Sequence, residues 1–218
     1  MSNKIDELLA ERMEQGRCYR SMEMRAAGEP DEMVVEGYAT TFDEPYTLHT
    51  EPGFTVLEQV ARDAFEGADM SDVIMQYDHR GRVFARMSNG TLLASPDDHG
   101  LKVRALLGGT DIGRQLYQEI AGGYTTKMSF AFRVAEDKQE IFEDKEKGDV
   151  TVVRTILKIA KLYDVSAVSL PANDGTEISA RSYGEGVIAE LKEERQRAEA
   201  EAKRRRETIS KIKLLTEV

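Results

Sequence analysis

Between residues 17 and 182, turn-forming residues cut the chain into apolar stretches that are mostly too short for helices, and this punctuation dictates a sheet-rich domain. Tyr19-Arg20-Ser21-Met22-Glu23-Met24 and Met33-Val34-Val35-Glu36-Gly37-Tyr38-Ala39 flank the turn signal Gly28-Glu29-Pro30-Asp31 and predict an opening hairpin. Phe42-Asp43-Glu44-Pro45 begins a loop, which takes in His49. Residues 54–60 read as a strand, Arg62-Asp63-Ala64-Phe65 as a helical turn, and Val73-Ile74-Met75-Gln76-Tyr77 as a buried strand. A meander of strands follows over 82–86, 90–95 and 100–107, with Asp97-Asp98-His99-Gly100 as the turn between the last two. Thr110-Asp111 caps a helix over 112–121 with Ile112, Leu116 and Ile120 on one face, and Gly122-Gly123 stops it. Residues 127–134 alternate as a strand, 136–149 form a charged loop or hairpin tip, and 150–160 and 162–170 read as two more strands ending at Pro171-Ala172-Asn173.

The ends have a different texture. Ile5, Leu8, Leu9 and Met13 recur at helical spacing over 4–14, in a segment too short and charged to hold a helix without a partner surface. Beyond residue 183 the chain is dense in Glu, Lys, Arg, Gln and Ala and reads as one long helix over 184–217. The division expected is a helical extension over 1–16, a functional domain over 17–182 and a charged helix over 183–218. Formal net charge is -10, and residues 190–218 carry nine basic and seven acidic side chains. The acidity therefore belongs to the rest of the chain, which argues against a general nucleic-acid binder. Acidic residues flank Lys203-Arg204-Arg205-Arg206, so that run reads as a solvated or interchain helix face. Cys18 is the one cysteine, which fits a reducing compartment. No apolar run approaches membrane-spanning length, and the first residues lack the apolar stretch of a signal peptide. The three histidines are scattered with no second cysteine, so neither a metal site nor a cofactor site is expected.

Three segments each carry a polar residue where a strand would be apolar: His79 after Tyr77-Asp78, Ser129 within Met128-Ser129-Phe130, and Asp164 within Tyr163-Asp164-Val165. A serine hydroxyl is a weak nucleophile unless a base lies within hydrogen-bond reach, and that base needs a third group to fix its tautomer. Ser129 shares a strand face with Lys127 and Ala131, which reads as an open site and not as core. Asp164 among apolar neighbours needs a partner, either His79 or a cation such as Lys161. Ser166 and Ser169 read as structural. Without further pattern, His79 reads as a surface loop residue and Ser129 as a small strand residue.

The order of motifs adds to this. Glu36-Gly37-Tyr38-Ala39 with Phe42, Arg62-Asp63-Ala64-Phe65, the His79 segment and Asp98-His99-Gly100-Leu101 come first. The helix before Gly122-Gly123, Met128-Ser129-Phe130-Ala131-Phe132, and Asp164-Val165-Ser166-Ala167-Val168-Ser169-Leu170-Pro171-Ala172-Asn173 complete the series. Over residues 19–180 the chain resembles the prohead proteases of HK97-like phages. The resemblance implies an α+β, predominantly β fold similar to the herpesvirus assemblins, a barrel-like antiparallel sheet flanked by helices. It implies a serine endopeptidase acting on scaffold or the scaffold segment of the major capsid protein, and on itself, during procapsid maturation in the host cytoplasm. The family's histidine falls on His79 and its serine on Ser129. The acidic third member falls on Asp164, where members often carry Glu. Herpesvirus relatives use a second histidine there, which makes His49 and His99 rivals. The oxyanion donors are not legible, with backbone N–H groups near Ser129 or in Gly108-Gly109, assisted by Arg86 or Arg133, as candidates. A homodimer is a further expectation from resemblance, and the terminal helices would tether the enzyme to scaffold or be trimmed away. The alternative is a non-catalytic assembly or scaffold-binding protein on the same fold.

Overall fold

The computed structural model describes residues 17–28, 32–144, 146–169 and 174–216; the helix expected over 4–14 and the turn at Pro171-Ala172-Asn173 lie outside them. Among the described residues the strands are β1 (Arg17–Ala27), β2 (Val34–Thr41), β3 (Tyr46–Glu51), β4 (Phe54–Val60), β5 (Ile74–Tyr77) and β6 (Arg80–Arg86). They continue with β7 (Leu92–Pro96), β8 (Gly100–Leu106), β9 (Lys127–Glu143) and β10 (Val150–Val168). Helix α1 spans Asp111–Ala121 and helix α2 spans Asp174–Thr216.

All ten strands join one sheet in the order β3-β4-β10-β9-β1-β2-β8-β7, with β5 and its hairpin partner β6 attached to β10. This corrects the barrel expected from the resemblance, because β3 and β7 end the sheet without pairing to each other. The sheet is also mixed. The 19-residue strand β10 is long enough to take two partners along one edge, β4 at Val150–Ile156 and β5 at Asp164–Ala167, both parallel. Its other edge pairs antiparallel with β9.

Three local expectations change. Residues 46–51 form a strand against β4 where a loop was expected, which puts His49 on β3. The 136–149 segment forms more than a tip: β9 runs on to Glu143, opposite Val150. The two strands expected over 150–170 are one, its register against β9 broken by several bulges. Bulges let one strand continue through twists that a regular ladder could not follow. Helix α1 starts as its sequence dictates, with the Thr110 hydroxyl accepting from the Gly113 N–H, and it buries Leu116 and Ile120.

The main core gathers Met128, Phe130 and Phe132 of β9, Leu162 and Val165 of β10 and Met75 of β5, with the Phe130 and Phe132 rings stacked at 4.6 Å. A second cluster lies under the start of α2, where Val187 and Ile188 meet Val56 of β4 and Val150 and Val152 of β10. An ion cluster centred on the fully buried Glu58 also ties the strands. Glu58 of β4 accepts from Arg20 of β1 at 2.6 and 2.9 Å, from Arg154 of β10 at 2.9 Å and from the Tyr46 hydroxyl of β3 at 2.6 Å. Arg154 also bonds Asp137 of β9 at 2.5 Å. Burial would raise the Glu58 pKa, but the charge and hydrogen bonds of Arg20, with Arg154, hold it below its ordinary value.

Candidate active site

Ser129 lies on β9 between β1 and β10, opposite Ser21 on one side and Ser166 on the other. Its neighbours Met128 and Phe130 point into the main core, so Ser129 occupies the other face of the strand. Cross-strand partners share a face. Ser166 therefore lies on the Ser129 face, and Asp164, opposite Ala131, does too.

A bulge puts Asp164 there. Leu162 pairs with Phe132 and Asp164 with Ala131, so Tyr163 is an extra residue in β10. In a regular ladder Leu162 and Asp164 would point the same way. With Tyr163 inserted, Leu162 enters the core beside Phe132 and Asp164 turns to the opposite face.

His79 arrives from the β5–β6 hairpin. Tyr77 pairs with Arg80, so Asp78 and His79 are the two central residues of the turn. Both have positive φ, 50° and 57°, as a type I′ turn demands. Glycine or asparagine is the usual choice at these positions, and histidine there is strained. Hydrogen bonds to the end of β10 hold the turn. The Asp78 N–H donates to the Ala167 carbonyl at 2.8 Å, and the Asp78 carboxylate accepts from the Ser169 N–H at 3.0 Å and the Ser169 hydroxyl at 3.1 Å. The turn is thus clamped to the end of β10, the strand that carries Asp164.

The imidazole bridges the other two residues. His79 Nε2 lies 2.7 Å from Ser129 Oγ, and His79 Nδ1 lies 2.6 Å from Asp164 Oδ1. The carboxylate accepts from Nδ1–H, which leaves Nε2 free to accept from the serine hydroxyl. Ser166 Oγ donates to the same Asp164 Oδ1 at 2.7 Å. All four side chains are buried, Ser129 and Ser166 fully, Asp164 at 3% and His79 at 4% exposure. The Ser129 face is therefore covered, where the sequence pattern had pointed to an open one. Ala131, two residues along on the same face, is buried as well.

The rival residues lie elsewhere. His49 sits on β3 against Gly184 of α2, and the His99 ring meets Tyr38 edge-on at 4.6 Å near the β7–β8 turn. Lys161 pairs with Asp69 and not with Asp164. Arg86 is engaged by Asp72, whose carboxyl its hydrogen bonds pull down to about 2. Gly108 precedes α1 and packs against Met33. The sequence reading set Ser166 and Ser169 aside as structural and did not foresee their bonds to Asp164 and Asp78. The signal for Ser166 was present, since a residue two places from Asp164 shares its face.

Residues 20–187 match the family described as caudovirus prohead serine protease. The chain belongs to that family. No curated protein and no solved structure matches it. Membership makes this prohead protease relative a chain of the serine-peptidase class, associated with tailed-phage capsid maturation. Among the described residues no helix is long and apolar enough to cross a membrane.

Proposed function

We propose that this chain is the serine endopeptidase of a tailed-phage procapsid, with Ser129 as nucleophile, His79 as general base and Asp164 as the group that orients His79. One observation carries the reading: a single imidazole bonds a serine hydroxyl through Nε2 and a buried carboxylate through Nδ1. Ser129 Oγ attacks the carbonyl carbon of the scissile bond while Nε2 takes the hydroxyl proton. The tetrahedral intermediate collapses, the amine leaves with the proton from Nε2, and an acyl-enzyme remains. Water, deprotonated by the same nitrogen, hydrolyses the ester and returns Ser129 to its starting state. Asp164 keeps the proton on Nδ1 and stabilises the imidazolium formed in each half-reaction. The buried Ser129 hydroxyl makes a local opening part of substrate entry.

The substrates are the scaffold protein or the scaffold segment of the major capsid protein, and the chain itself. The reaction takes place inside the procapsid in the host cytoplasm, and the enzyme acts as a homodimer. Incubating purified chain with the shell and scaffold subunits tests the activity. Wild type converts them to shorter bands and Ser129→Ala leaves them intact. Identical banding for the two proteins overturns the proposal.

A further inference from the structure

We propose that Ser166 is a positioning residue of this site, a fourth member whose hydroxyl fixes the Asp164 carboxylate for His79. The inference rests on the roles given above to Ser129, His79 and Asp164. Ser166 is fully buried and stands directly opposite Ser129, yet the hydrogen bond of its hydroxyl goes to Asp164 Oδ1 at 2.7 Å. That is the oxygen already 2.6 Å from His79 Nδ1. An ionised carboxylate only accepts, so the Ser166 hydroxyl is the donor. Among the described residues, His79 and Ser166 are the two side chains hydrogen-bonded to this carboxylate.

The terminal torsion of an aspartate is soft, with no sharp staggered minimum. A carboxylate held by one bond to a histidine can swing with the ring. Two donors converging on one oxygen, one of them on the same strand and face, remove that freedom. The Ser166 hydroxyl bonds Asp164 while Nε2 bonds Ser129, so Ser166 does not take the nucleophile's place. Its position follows from the Tyr163 bulge, which turns Asp164 and Ser166 together toward Ser129.

A fluorophosphonate probe tests this without knowledge of the peptide substrate. Ser129 Oγ attacks phosphorus, fluoride leaves, and the hydroxyl proton passes to His79. Wild type labels at Ser129. For Ser166→Ala the rate of labelling at saturation falls roughly tenfold while the probe concentration for half-saturation stays unchanged, as expected on loss of one charge-assisted bond. The low-field proton resonance of His79 Nδ1–H shifts upfield in the same variant, and Ser166→Thr, which keeps the hydroxyl, restores both. A wild-type rate and an unmoved resonance in Ser166→Ala overturn the inference, and so does a folded Ser166→Thr that behaves like Ser166→Ala. Should Ser166→Ala fail to fold, Ser166→Cys, with a much weaker donor, carries the comparison. Labelling that persists in Ser129→Ala, or never occurs in wild type, instead overturns the assignment of the nucleophile and is read separately.

Discussion

Asp164 is the residue whose substitution separates chemistry from fold. Asp164→Asn keeps size and shape but offers Nδ1 an amide in place of a carboxylate. The imidazole then adopts the wrong tautomer, with its proton on the nitrogen facing Ser129. We expect kcat to fall on the order of 10³–10⁴-fold with KM little changed. Steady-state hydrolysis of a capsid-derived peptide measures it, and an Asp164→Asn enzyme as fast as wild type would remove Asp164 from the mechanism. At this scale the sequence was informative in an uneven way. His79 and Ser129 stood out because each is a polar group where the pattern calls for none. A regular strand over 162–170 would put Leu162 and Asp164 on one face, whereas Tyr163 is inserted between them and they point apart. A bulge leaves no composition signature, because any residue can be the extra one. The strained turn at Asp78-His79 was likewise hidden, since neither residue is the glycine that usually announces positive φ.

Elements are held in register by the ion cluster around Glu58. It joins β1, β3, β4, β9 and β10, and the charges of Glu58 and Asp137 balance those of Arg20 and Arg154. Removing one member strands the others. Glu58→Gln leaves two buried guanidinium groups with half their compensation, and a loss of about 3–5 kcal/mol is expected for breaking a buried pair in this way. The pH dependence follows from the lowered Glu58 pKa. Folded Glu58 ionises below its ordinary value of 4.5, so the unfolded chain binds the proton more readily. The stabilisation is fully present above that value and is lost as pH falls through the folded one. Thermal midpoints taken from pH 7 downward should drop more steeply below about 4.5 in wild type than in Glu58→Gln, which starts lower. Parallel curves would show that Glu58 carries no such linkage. None of this cluster was legible beforehand. Glu58 sits in a strand between Leu57 and Gln59 and reads as a solvent-facing residue, and its partners come from strands 38 and 96 residues away. Strand types and limits were readable because alternation and turns are local. The pairing order, and with it the open sheet, depends on non-local contacts that local pattern does not encode.

At the scale of the whole molecule, α2 divides into two unequal environments. Its early part is docked. Tyr183 lies over the Arg154 guanidinium at 4.1 Å, Gly184 meets His49 so closely that a Cβ would stand 2.4 Å from the His49 Cβ, and Val187 and Ile188 are buried. Lys192 pairs with Glu51, and Arg195 reaches Glu143 at 2.5 Å. From 196 to 209 every residue is exposed, so the helix leaves the body at that point. Composition made the long helix legible, while the docking of its early part depends on contacts with distant strands. The contrast sets the response to shortening. Among the described side chains, a chain ending at residue 196 loses only exposed ones, and its thermal midpoint should stay within about 2 °C of the full-length value. A chain ending at residue 182 loses Val187 and Ile188 and uncovers Val56, Val150 and Val152. At about 1.5–3 kcal/mol for each buried aliphatic side chain removed, that is roughly 3–6 kcal/mol and a midpoint lower by about 10 °C or more. Circular dichroism melts of the two shortened chains decide the matter. Equal midpoints would mean that the docked turns of α2 add nothing to the body, and that the helix can be removed whole without loosening the sheet that carries Ser129 and Asp164.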